Sequence, residues 1–238
     1  MATSPRSLVA FVTGACDGEV RVWDVAHRAL MWAAPAHSGF VRGLSVSHDG
    51  ETFVSVGDDA SAKLWSMVPG ERADEYDDEE EIALGGSSGR GVTATGIAPT
   101  GSWVGKAPFR GVDCHWSEPT FATCGESVEV WDQRRSEPVH SWEWGCDAVT
   151  CVRYNPAERA LLASAGSDRS IALYDVRLAT PVRKVIMTMK SNALAWNPME
   201  PFNFSVANED GRAYTFDMRK LERALMVHKV SRVAAHRS

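Results

Sequence analysis

The chain has 238 residues, 44% of them hydrophobic and 24% charged, with 9 Trp, 19 Gly and a formal net charge of −6. That length buries a sizeable core, and the apolar fraction is too high for a disordered chain. No apolar run approaches the ~20 residues that cross a bilayer, and residues 8–12 are too short for the apolar stretch of a secretory leader. The five cysteines (Cys16, Cys114, Cys124, Cys146, Cys151) include no Cys-x-x-Cys pair. They argue against a disulfide framework or a metal knuckle and fit reduced thiols in a cytosolic or nuclear compartment.

Taken in chain order, the elements repeat. Residues 19–23 (EVRVW) alternate as a half-buried strand and close on Trp23 and Asp24. A second unit closes on Trp65 and Ser66. The acidic run 71–81 follows, with eight carboxylates and one Arg, and then the Gly-rich stretch 85–91. The acidic run carries −7 and the rest of the chain sums to +1, so the net charge belongs to one segment. A third unit closes on Trp131 and Asp132. In the fourth, strands are predicted at 146–154, 161–165, 171–175 and 181–187, with turns at Asn155-Pro156 and 166–170. A fifth closes on Phe216 and Asp217, and no amphipathic helix is predicted anywhere.

The closing aromatics are spaced by 42, 66, 43 and 42 residues, so the long interval is one repeat with 24 residues inserted. Asp17, Asp59, Asp168 and Asp210 each stand six residues before their aromatic, while Gly125 occupies that offset in the third unit. A period of 40–45 residues with four strands and a closing Trp-Asp is the signature of a WD-repeat β-propeller. The expectation is an all-β WD-repeat propeller over 1–238 holding about five blades' worth of repeats. An acidic, then Gly/Ser-rich, insertion is expected at 69–105 between repeats.

His37, Ser55, Asp59 and Trp65 hold the positions of a buried hydrogen-bonded relay. The same set also reads as a hydrolase triad, but no nucleophile-elbow turn accompanies it and parts of it recur in other units, which favours structure over catalysis. The Gly-rich stretch lacks the Gly-Lys-Ser/Thr ending of a phosphate loop and reads as linker. No cofactor, metal ligand set, membrane or small-molecule substrate is expected. The acidic run is a solvated face or a loop that meets basic assembly proteins. Residues 177–238 carry +6, scattered through blade-like sequence that could meet RNA phosphate. Three tetrads repeat an aromatic-Asp-x-Arg pattern: Trp131, Asp132 and Arg134; Tyr174, Asp175 and Arg177; Phe216, Asp217 and Arg219. Asp and Arg there pair locally or meet a partner.

Longer strings extend beyond the repeat. GACDGEVRVWDV (14–25), AHSGFVRG (36–43), VGDDASAKLW (56–65), FATCGESVEVWD (121–132), SDRSIALYDVRLATPVRKVI (167–186) and WNPMEPFNFSVANEDGRAYTFDMRKL (196–221) resemble the Sof-type WD-repeat family of WD repeat and SOF domain-containing proteins. The resemblance implies a non-enzymatic scaffold of the small-subunit processome. Such a scaffold works in the nucleus and nucleolus with processome proteins and pre-ribosomal RNA, in small-subunit rRNA processing and ribosome biogenesis. It implies, as the alternative, a substrate receptor of a cullin-RING ubiquitin ligase, its adaptor met through the tetrads. The family's ring of about seven blades implies that the chain begins inside a blade and stops before the remaining repeats and the basic SOF region. An open arc is expected to leave unpaired edges and to be less stable than a closed ring.

Overall fold

The computed structural model describes residues 10–68, 97–143 and 148–229. The acidic run and the Gly-rich stretch lie outside the described residues. Those described form nineteen strands in five antiparallel sheets and include no helix. The first sheet has three strands, β1 (Ala10–Gly14), β2 (Glu19–Asp24) and β3 (Ala29–Pro35). The second runs β4 (Val41–Val46), β5 (Thr52–Gly57), β6 (Ser61–Ser66) and β7 (Gly101–Val104). The third runs β8 (Gly111–Cys114), β9 (Thr120–Cys124), β10 (Val128–Asp132) and β11 (His140–Trp142). The fourth is β12 (Val149–Tyr154), β13 (Leu161–Gly166), β14 (Ser170–Asp175) and β15 (Arg183–Ile186). The fifth is β16 (Ser191–Trp196), β17 (Asn203–Asn208), β18 (Arg212–Asp217) and β19 (Met226–Lys229).

Each sheet is a meander whose strands pair in chain order. The closing aromatic faces an apolar residue of the preceding strand in every one: Phe11 with Trp23, Phe53 with Trp65, Phe121 with Trp131, Leu162 with Tyr174, Phe204 with Phe216. This register identifies β1 with β5, β9, β13 and β17, the second strands of the other sheets. The innermost strands β4, β8, β12 and β16 neighbour one another in sequence, and β1 lies against β4. Stacking sheet on sheet covers both faces, so the second strands (TFVSVG, TFATC, LLASAG) are buried nearly throughout instead of alternating. Four apolar clusters fill the four junctions: Trp32, Phe53 and Trp65; Trp103, Phe121 and Trp131; Trp142, Tyr154 and Tyr174; Leu194, Phe204 and Phe216. The architecture is that of a partial WD-repeat propeller.

Two expectations are corrected, and a third lies partly outside the described residues. β7 pairs with β6, Ala62 opposite Trp103, so the insertion joins the third and fourth strands of one blade and does not separate two repeats. A four-residue strand beginning Gly-Ser carries almost no pattern of its own, so 101–104 falls inside the expected insertion. The predicted strand 146–154 is described from Val149 only, residues 144–147 lying outside the described set. The outer strand of the fourth blade is Arg183–Ile186, with the N–H groups of Val182 and Met187 donating to Leu173 O and Arg169 O just beyond its two ends.

Candidate functional site

The relay is assembled from two blades. β3 ends at Pro35, and the backbone N–H groups of Ala36 and His37 donate to Gly18 O of the first blade, both at 3.0 Å. This turns the His37 ring into the second blade. Gly18 stands at φ +84°, and a Cβ there would lie 2.0 Å from His37 O, so the turn requires glycine. Within the second blade Trp65 Nε1 donates to Ser55 Oγ at 3.0 Å, and Ser55 Oγ meets His37 Nε2 at 2.8 Å. His37 Nδ1 lies 2.9 Å from Asp59 Oδ1, which also accepts from the Ser61 hydroxyl at 2.8 Å and Ser61 N at 3.1 Å. One donor order satisfies this chain: indole to hydroxyl, hydroxyl to Nε2, Nδ1–H to carboxylate. Burial holds His37 below the ordinary histidine value, although the Asp59 hydrogen bond pulls it up. For Asp59, burial pushes upward, but hydrogen bonds from Ser61, His37 and the Ser38 and Ser61 backbones outweigh it and keep the carboxyl ionised. The His37 side chain and Ser55 are sealed from solvent, so this hydroxyl presents no nucleophile to a substrate.

Other blades keep the parts in altered form. Trp23 donates to Thr13 Oγ1 and Trp131 to Thr123 Oγ1, both at 2.9 Å, and the Tyr174 hydroxyl meets Ser164 Oγ at 2.9 Å. Where the aromatic is Phe216, with no polar hydrogen, the residue ten positions before it is Val206. The Asp of each hairpin accepts an N–H two residues on, but its second oxygen takes Arg21 in the first blade, Lys184 in the fourth and the Tyr214 hydroxyl in the fifth. Only the second blade, among the described residues, closes the circuit through histidine.

The three Asp-x-Arg turns follow the third strands of consecutive blades. Arg177 forks onto Asp175 at 2.8 and 2.5 Å, and Arg219 onto Asp217 at 2.9 and 2.7 Å while lying 4.3 Å from the Phe202 ring centroid. Each carboxyl is held below its usual range by its own arginine. Arg134 differs: its backbone N–H donates to Asp132 at 2.9 Å, its side chain is exposed, and among the described residues no ion pair joins it to Asp132. Trp131 is 1% exposed and its indole donates to Thr123, so it supports this turn from inside.

Sequence reasoning missed Ser61 and a set of tryptophan staples. The indoles of Trp32, Trp103, Trp116 and Trp196 donate to the carbonyls of Met67, Arg135, Asn155 and Arg153, each in an adjacent blade, at 2.7–3.1 Å. The only trace in the sequence was tryptophan beyond the three closing positions. Among the described residues no group of three or more His, Cys, Asp or Glu is placed to hold a metal ion.

Comparison with known proteins agrees with this geometry. The WD domain, G-beta repeat model matches residues 30–66 and 136–175. The chain is 43% identical over 228 residues to the DDB1- and CUL4-associated factor 13 of Xenopus laevis, covering 96% of this chain and 46% of that protein. It is 46% identical over 224 residues to the Danio rerio protein of that name, covering 94% and 45%. It is 39% identical over 235 residues to Protein SOF1 of Saccharomyces cerevisiae, covering 94% and 46%. The chain therefore spans about half the length of the curated relatives it matches.

Proposed function

We propose that this chain, which belongs to the Sof-type WD-repeat family, acts as a non-enzymatic scaffold in small-subunit ribosome biogenesis. It works in the nucleus and nucleolus, joining small-subunit processome proteins and pre-ribosomal RNA. The observation that carries this reading is similarity to Protein SOF1 across 94% of the chain, through all five blades. The sealed relay supports the non-enzymatic part: its His, Ser and Asp are spent on holding a blade together. Affinity purification of the tagged chain from nuclear extract tests it. Small-subunit assembly proteins and rRNA precursors are expected in the eluate; their absence from a folded bait would count against the reading.

A second reading, a cullin-RING ligase receptor, draws on the name DDB1- and CUL4-associated factor 13 and on one local feature. Arg134 is the arginine of the three that is exposed without an ion pair to the aspartate of its own turn. Arg177 and Arg219 are already neutralised by theirs. If an adaptor is met through these turns, the third blade supplies the contact.

A further inference from the structure

The turn between first and second strands is built alike in four blades: Ser47, His115, Asn155 and Asn197 each donate a backbone N–H across it at 2.9 Å. In the third blade His115 Nε2 reaches Arg159 O at 3.0 Å and the Trp116 indole reaches Asn155 O at 3.0 Å, closing the corner onto the fourth blade. In the fourth, Asn155 Nδ2 reaches Pro201 O at 2.6 Å and closes onto the fifth. In the second blade Ser47 and His48 stand in the places of His115 and Trp116. The Ser47 hydroxyl turns back to Asp49 and Thr52, inside its own turn. The corner between second and third blades therefore stays open as a cleft of about 370 Å³.

Asp49 and Glu118 stand on its opposite blades, Trp116 forms part of the wall, and among the described residues no Lys or Arg lines it. Arg159 lies 5.6 Å from the Trp116 ring centroid and the His115 ring stacks on it at 5.6 Å, so the indole is a cation-accepting surface that the chain's own groups partly cover. Gln133, between Asp132 and Arg134, also lines the cleft, which places it on the face that carries the third-blade turn.

We propose that this cleft is a docking site for an arginine or lysine side chain of a partner protein, held between Asp49 and Glu118 and against Trp116. The inference rests on the chain being a docking scaffold, but not on which assembly it joins. Its test is titration of the ¹⁵N-labelled chain with N-acetyl-arginine amide, reading the Trp116 indole N–H, with N-acetyl-citrulline amide as the neutral isostere. The arginine probe is expected to give a saturable shift at Trp116 and to bind at least threefold tighter than citrulline. Asp49→Asn with Glu118→Gln should weaken it about tenfold, at about two- to fivefold per exposed carboxylate. His48→Trp, which fills the corner, should abolish it. A ratio below threefold, no saturable shift, or a tighter response to oligouridylate overturns the proposal. Neither assembly is present in this experiment, so failure of the cleft and failure of the scaffold reading are told apart.

Discussion

Ser55→Ala tests the relay at its central atom. Ser55 Oγ accepts the Trp65 indole at 3.0 Å and faces His37 Nε2 at 2.8 Å, and all three groups are buried. Removing the hydroxyl leaves one donor and one acceptor without a partner. An orphaned buried polar group costs about 1–3 kcal/mol, so the variant, with two, is expected to lose about 2–6 kcal/mol. The third blade provides the scale. Thr123→Val keeps the side-chain shape and orphans only the Trp131 indole, for about 1–3 kcal/mol, half the Ser55→Ala range. Urea unfolding followed by tryptophan fluorescence measures both, with the slope checked for constancy. The expected order is Ser55→Ala well above Thr123→Val. A Ser55→Ala chain within about 0.5 kcal/mol of the parent, the range of an ordinary surface change, would refute the relay as a structural device.

Gly57→Ala would place a Cβ 2.7 Å from His37 Cγ, expelling the ring; a loss of at least the Ser55→Ala size is expected in the same unfolding assay. Gly50→Asn is its control: the site is at φ +73° with nothing within 4 Å, and asparagine tolerates that conformation, so stability should hold. Burial pushes Asp113 up to about 6 against the Tyr154 N–H and Arg153, which pull it down. A raised carboxyl stabilises the fold below its ordinary value of 3.8 and loses that contribution as pH rises through about 6. Asp113→Asn keeps an acceptor for Tyr154 N, so relative to the parent it should gain about 1–3 kcal/mol between pH 5 and pH 8, read from urea midpoints. Equal differences at both pH values would contradict it. On the ligase reading, Arg134→Glu should cut adaptor capture about tenfold in pull-downs, and Arg177→Glu or Arg219→Glu less than twofold.

The relay was legible in sequence because its four members differ in chemical type and fall at offsets that recur in the repeat. A hydroxyl opposite each polar aromatic, with Val206 ten residues before Phe216, carries the same message in residue chemistry. The staples were not legible, because Trp32, Trp103, Trp116 and Trp196 donate to backbone carbonyls, and a carbonyl acceptor leaves no mark on residue type. The tetrads show the converse. Arg134, Arg177 and Arg219 look equivalent as text, yet two fold back onto their aspartates and one does not. All three turns share the backbone bond to the aspartate, so the difference lies in the side chains' surroundings, such as the Phe202 ring beside Arg219, which the four-residue pattern does not contain. The cleft was invisible for the same reason: it is the consequence of Ser47 and His48 standing where His115 and Trp116 stand one blade later.

The scaffold account is tested most directly by depleting the endogenous protein and quantifying small-subunit rRNA precursors, with re-expression of the parent and of Ser55→Ala. The account predicts precursor accumulation on depletion, relief by the parent, and relief by Ser55→Ala only in proportion to its folded fraction. Normal processing after depletion would contradict it.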